Sequence, residues 1–216
     1  IVHNWQRDGY DVSYPDVLPI RQCAIGYGQN NFDILRNTAS IKNALFSMHE
    51  NYVDYDPHSS NSYFNQNDMV LNSQSEPIPS YCFEDRKVLC GDVTERKIPS
   101  FCTGVLNASK MSSYYDGLSI SKSIHSDYQT NASYLDVHSS YDPSIYVDYD
   151  ASETNAGMFR EVLKQNQDIA TFERNTHEGP VSGEGLAHFL YAGYYDDFEA
   201  QLHTGQSLPG MHYRHT

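Results

Sequence analysis

Carboxylates, imidazoles and phenols crowd into three short stretches of this chain. Residues 49–57 read HENYVDYDP, residues 134–143 read YLDVHSSYDP, and residues 175–185 read NTHEGPVSGEG. Acidic groups on converging loops can hydrolyse a glycosidic bond as a pair, hold a divalent metal, or remain hydrated. The first job needs one ionised carboxylate as nucleophile and a second, with raised pKa, as acid and then base. Asp136 suits the nucleophile because it directly follows the apolar Tyr134 and Leu135, which would hold it rigidly at a strand end. Glu184, flanked by Gly183 and Gly185, suits the acid/base. Glu178 in the same stretch is its rival. For most of the 28 acidic residues a solvated loop position is the ordinary reading.

His49, His138, His177 and His188 lie in or near these stretches, and imidazole with carboxylate would suit zinc or manganese. No H-x-H or H-E-x-x-H spacing occurs, so the sequence reading assigns no metal and no cofactor. GPVSGEG fails the spacing of a G-x-S-x-G nucleophile elbow, which removes a serine hydrolase of that kind. In HNWQRDGYD, Trp5 can stack on a pyranose face, Arg7 and Asp8 can fork onto hydroxyls, and Tyr10 can add a second wall. A buried tryptophan above a structural Arg–Asp pair is the competing account of the same residues.

The elements that must position these groups read as an alternation of short strands, polar loops and helices. The spacing predicts helices over 32–44, 111–124, 154–172 and 186–194. Strands are expected over 45–48, 134–137 and 172–177, a Gly-rich turn over 179–185, and an irregular excursion over 64–110. Each polar cluster then falls just after a strand. In parallel α/β architectures the loops at the carboxyl ends of strands gather on one face. The fold expected is α/β, a partial (β/α)8 TIM barrel with about half the barrel visible and long decorated loops. The whole of 1–216 would be a single catalytic-barrel fragment, a reading that the start at Ile1 also suggested.

Composition narrows the partners. A net charge of −14 with no basic stripe disfavours nucleic acid, and no apolar run reaches the ~18 residues of a membrane span. Tyrosine is abundant, 18 of 216, which suits surfaces that grip sugars by stacking and hydrogen bonding. Cys23, Cys82, Cys90 and Cys102 contain no C-x-x-C pair; a disulfide among the last three and free buried thiols are both open. The sequons at Asn107 and Asn131 are no more than composition yields by chance.

NWQRDGYDVSYPDVLP, ALFSMHENYVDYDP, SYLDVHSSYDP and HEGPVSGEGLAHFLYAGYYDDFEAQ, in this order, resemble the catalytic barrel of bacterial glycoside hydrolases related to endo-α-N-acetylgalactosaminidases and α-N-acetylgalactosaminidases. The resemblance covers about 1–60 and 130–202. It implies a retaining mechanism on α-linked galactosyl or N-acetylgalactosaminyl glycans, with Asp136 as nucleophile and Glu184 as acid/base about 5–6 Å away. Arg7, Asp8, His49, Asn51, Asp54 and His138 would line the sugar subsite beside Trp5 and Tyr10. An extracellular or envelope location is expected. The alternative from another class is a non-catalytic or degenerate carbohydrate-binding barrel segment.

Overall fold

The computed structural model describes residues 1–3, 5–8, 11–20, 29–57, 63–83, 86–90, 94–98 and 101–200. It is a mixed α/β fold built on a parallel sheet. The strands β1 (His49–Glu50), β7 (Ser133–Leu135), β8 (Val181–Gly185) and β9 (Asp197–Ala200) lie in the order β1-β7-β8-β9, all parallel. Val2 bridges Met48 beside β1, also in parallel. A second, antiparallel sheet holds β2 (Asp54–Tyr55), β6 (Phe101–Val105) and β3 (Pro79–Phe83) in that order; β4 (Arg86–Cys90) and β5 (Thr94–Ile98) form a hairpin.

The helices form where an apolar stripe can be buried. In α1 (Gln29–Ile41), Phe32 packs against Phe46 and Tyr128, with ring centroids 5.8 Å apart in both pairs. In α3 (Phe159–His177) the buried stripe runs Val162, Asn166, Ile169, Ala170, Glu173, His177, spacings of three and four that keep one face on the sheet. That stripe turns polar at its end. A reading that stopped the helix at Phe172 therefore placed a strand over 172–177 where α3 in fact continues. Glu178, in the left-handed region at φ 53, with Gly179 and Pro180 behind it, ends the helix.

Four further expectations are corrected. Of the turn expected over 179–185, residues 181–185 are strand β8: the glycines are demanded by packing, since a Cβ at Gly183 would meet Ser139 Oγ at 2.5 Å and the Tyr195 ring at 2.9 Å, and one at Gly179, just before the strand, would collide with the Asn131 carbonyl. The helix expected over 186–194 is a single 3-10 turn, His188–Tyr191. The one expected over 111–124 divides into a π-helical turn at Ser113–Gly117 and α2 (Ile120–Tyr128), separated by Ser119 at φ 56. Residues 64–110 carry β3 to β6 in place of an irregular excursion. These strands are short and polar, so no period shows in their sequence.

Cys82 and Cys102 form a disulfide across the β3–β6 pair, where they are register partners. Replacing both by serine is expected to lower unfolding stability by about 3 kcal/mol, the amount that closing a loop of this length contributes. Urea unfolding of the oxidised parent and the double variant measures it, and equal midpoints would show that the cross-link contributes nothing.

Candidate functional site

Side chains alternate between the two faces of a strand, and the register divides the parallel sheet by chemistry. His49 pairs with Tyr134, Tyr134 with Ser182, and Ser182 with Asp197; one step on, Glu184 pairs with Glu199. His49, Tyr134, Ser182 and Glu184 share one polar face. Glu50, Ser133, Leu135 and Val181 occupy the other, where Ser133 meets Glu173 of α3.

Asp136 comes immediately after β7, and its amide still bonds the Glu50 carbonyl at 2.8 Å. The chain then turns sharply: the His138 amide donates to the Asp136 carbonyl at 2.8 Å across Val137, whose φ is 68. A β-branched residue there is a genuine outlier, and such strain costs on the order of 1–3 kcal/mol. The turn rotates the Val137 amide out of the ladder so that it donates to Glu184 Oε2 at 3.1 Å. Ser139 Oγ donates to the Glu184 carbonyl at 2.6 Å, tying the same loop to β8. Glu184 is thereby held beside the turn that follows Asp136.

Burial, then the neighbouring Glu199, raises the Asp136 pKa to about 7. Burial, then Asp136, raises Glu184 to about 7 as well. Both carboxyls thus hold a proton more tightly than an exposed acid does. Asp54 is pushed up to about 6, chiefly by burial, although the Ser80 hydroxyl and the Asn51 amide, at 2.7 Å, hydrogen-bond its carboxylate.

His49 is fully buried, with Nε2 3.1 Å from Asp136 Oδ2. Desolvation lowers its pKa to about 4 despite the pull of Asp11, Glu184 and Asp54, so the ring is neutral at pH 7. The Gln6 amide nitrogen lies 3.0 Å and the Tyr14 hydroxyl 3.1 Å from Nδ1. Nδ1 is thus engaged by Gln6 and Tyr14, and Nε2 is on the side of the ring that faces Asp136.

Several expected subsite residues have other tasks. Trp5 has no exposed surface; its indole donates to the His49 carbonyl at 2.9 Å and its ring packs near Tyr128, so it is a core residue and offers no stacking platform. The five guanidinium donors of Arg7 are committed to Asp16, Asp8 and the Leu18 carbonyl, which folds the loop and leaves no fork for a sugar. Asp8, partly exposed, also accepts from Ser13 at 2.9 Å. Asn51 is buried, and its Oδ1 accepts from the amides of Val53 and Asp54, a side-chain-capped turn. His138 is buried, with Nδ1 against Asn166 at 2.7 Å and Nε2 accepting from Tyr52; it is a structural histidine. Glu178 is exposed at the amino end of β8, whereas Glu184 is near its carboxyl end beside Asp136. Tyr10 lies outside the described residues.

The structure also adds groups that the sequence reading missed. Glu199 on β9 accepts from the Tyr134 hydroxyl at 2.5 Å. Asp11, in the left-handed region at φ 55, places a carboxylate oxygen within 4.8 Å of His49 and Asp136 donor atoms. The alternation in DFEA was the available signal for the first; nothing local marks the second.

No protein-family model matches this chain, and no curated protein matches it. Solved structures do. It is similar to the alpha-N-acetylgalactosaminidase NagBb from Bifidobacterium bifidum in complex with GalNAc, at 17% identity over 89% of this chain and 27% of that one, with a TM-score of 0.63. The ligand-free form of the same protein gives 17% identity, 89% and 28% coverage, and a TM-score of 0.64. At this identity the likeness is one of fold, and the chain spans little more than a quarter of the protein it matches.

Because Asp136 binds its proton more tightly when folded (about 7) than its ordinary value of 3.8, its burial favours folding below about pH 4 and loses that benefit as pH rises toward 7. Asp136→Asn removes the charge and relieves Glu184. The variant is expected to gain a Tm advantage over the parent that grows by a few degrees between pH 5 and pH 8, at about 2–4 °C per kcal/mol. Calorimetry at both values checks it; an advantage that shrinks with pH contradicts the raised Asp136 pKa.

Proposed function

We propose that this chain carries the catalytic carboxyl pair of a retaining glycoside hydrolase acting on α-linked galactosyl or N-acetylgalactosaminyl glycans. The observation that carries the reading is the placement of Asp136 just past β7 and of Glu184 on the neighbouring parallel strand β8, with the Val137 amide donating to the Glu184 carboxylate. Strands in a sheet lie about 4.8 Å apart, a spacing that favours the separation of about 5–5.5 Å that retention uses over the 6.5–9.5 Å that leaves room for an inverting water. The parallel sheet, its functional groups at the carboxyl ends and its likeness to NagBb support a partial (β/α)8 barrel. The substrate class rests on the quoted motifs and on the activity named for that neighbour.

In this reading Asp136, the shorter side chain, attacks the anomeric carbon. His49, a neutral ring with Nε2 3.1 Å from the carboxylate, flanks it without adding a charge that would weaken the nucleophile. Glu184 is longer and less buried, and it gives its proton to the departing oxygen, then takes one from the water that releases the sugar. The raised pKa values suit a pair in which one member must be ionised while the other holds a proton. Carbohydrate binding without catalysis loses its main aromatic wall, since Trp5 is in the core. The Cys82–Cys102 disulfide supports an extracellular or envelope setting.

The intact protein should release an aryl α-N-acetylgalactosaminide or α-galactoside, with NMR showing the α-anomer first. Glu184→Gln is expected to lower turnover by about 10²–10⁴-fold, and Asp136→Asn to reduce it to background. Turnover equal to the parent in Asp136→Asn would overturn the assignment, and a β-anomer formed first would exclude retention.

A further inference from the structure

On the sheet face opposite the carboxyl pair, Glu50, Glu173 and His177 meet in a space closed to solvent. Glu50 comes from β1; Glu173 and His177 are one turn apart on α3, and all three are buried. His177 Nε2 is 2.9 Å from Glu173 Oε2, 3.3 Å from Glu50 Oε1 and 3.0 Å from Ser121 Oγ. Around these atoms stands an outer ring of hydroxyls. Tyr52 donates to Glu50 Oε2 at 2.8 Å, Ser133 to Glu173 Oε2 at 2.8 Å, and Thr130 Oγ1 is 2.5 Å from His177 Nδ1.

Two atoms are left over. Glu50 Oε1 and Glu173 Oε1 are buried and take part in no hydrogen bond, where buried polar atoms are nearly always satisfied. A protonated imidazole accounts for at most one of them: Glu50 Oε1 lies 3.3 Å from Nε2, while no donor reaches Glu173 Oε1. Two carboxylates shut away from water also demand compensating positive charge; against the cost of desolvation, Glu173 and Glu50 raise His177 to about 10, and it supplies one unit for the two. Donor atoms from all three residues lie within 4.8 Å of one another. The separations at Nε2 compare with the edge of about 3.3 Å in a tetrahedron whose metal–ligand bonds are about 2.0 Å.

We propose that Glu50, Glu173 and His177, with the Ser121 hydroxyl beside them, hold one divalent transition-metal ion of the zinc class in a closed structural site. Carboxylate and imidazole donors suit zinc or manganese. The surrounding hydroxyls on Glu50 Oε2, Glu173 Oε2 and His177 Nδ1 would orient the ligands as the outer partners of metal sites do. Such an ion would clamp α3 and α2 onto β1, whose Glu50 carbonyl accepts the Asp136 amide. The proposal does not depend on the chain being a glycosidase.

The test is metal content by plasma mass spectrometry on the intact protein, dialysed and then offered zinc. One tightly held ion is expected, with Tm falling by about 10 °C on chelation and returning with zinc. Glu173→Gln, which keeps the side chain's shape, should lose the ion. Should that variant fail to fold, anomalous diffraction at the zinc edge on the parent locates the ion directly. No retained metal and a Tm indifferent to chelator would overturn the proposal, as would an ion that persists in Glu173→Gln or diffracts from another position.

Discussion

Two carboxyls forced into one poorly hydrated space govern the architecture around the carboxyl ends of β7 and β8. Desolvation raises both Asp136 and Glu184 to about 7, helped by Glu199 at the first and by Asp136 at the second. The surroundings manage that conflict through dipoles in place of full charges. The strained turn at Val137 contributes an amide to Glu184, and a neutral His49 faces Asp136. An arginine there would relieve the repulsion, but it would also pull both pKa values down and leave the pair without a proton to transfer. Arg7, only a few residues from the site in sequence, is instead occupied by Asp16 and Asp8.

The cost of the arrangement is met on the other face of the sheet. There Leu135 and Val181 are fully buried, along with Ile169 and Ala170 of α3. Strand β8 shows the compromise most clearly. It alternates buried and half-buried residues, and its glycines admit Ser139 and Tyr195 so closely that a methyl group would collide. Those contacts bring the loop after Asp136 against Glu184. Packing on one side of the strand thus determines where the Glu184 carboxyl stands on the other.

Polar residues in buried positions explain where the reading of the sequence was accurate and where it failed. A long amphipathic helix before residue 172 was legible, since Val162 and Ile169 recur at helical spacing. The continuation of α3 through Glu173 and His177 was not, because a stripe that becomes ionic looks like a solvated end. Trp5 and His138 misled for the converse reason: residues with polar tips next to a site resemble ligand contacts until their partners, the His49 carbonyl and Asn166, are known.

What the sequence by itself determined is local. Tyr134 and Leu135 commit the segment before Asp136 to a buried strand, the pattern of small residue, Glu and Gly around 184 permits close backbone approach, and the acidic composition disfavours a phosphate backbone as partner. The tertiary structure decided which of two glutamates faces Asp136, that Trp5 is core, and that Glu50 meets His177 at 127 positions' remove. The physical reason is that charge repulsion, desolvation and hydrogen-bond satisfaction depend on distances across the sheet. Strand register and helix packing set those distances, and no window of the chain contains them.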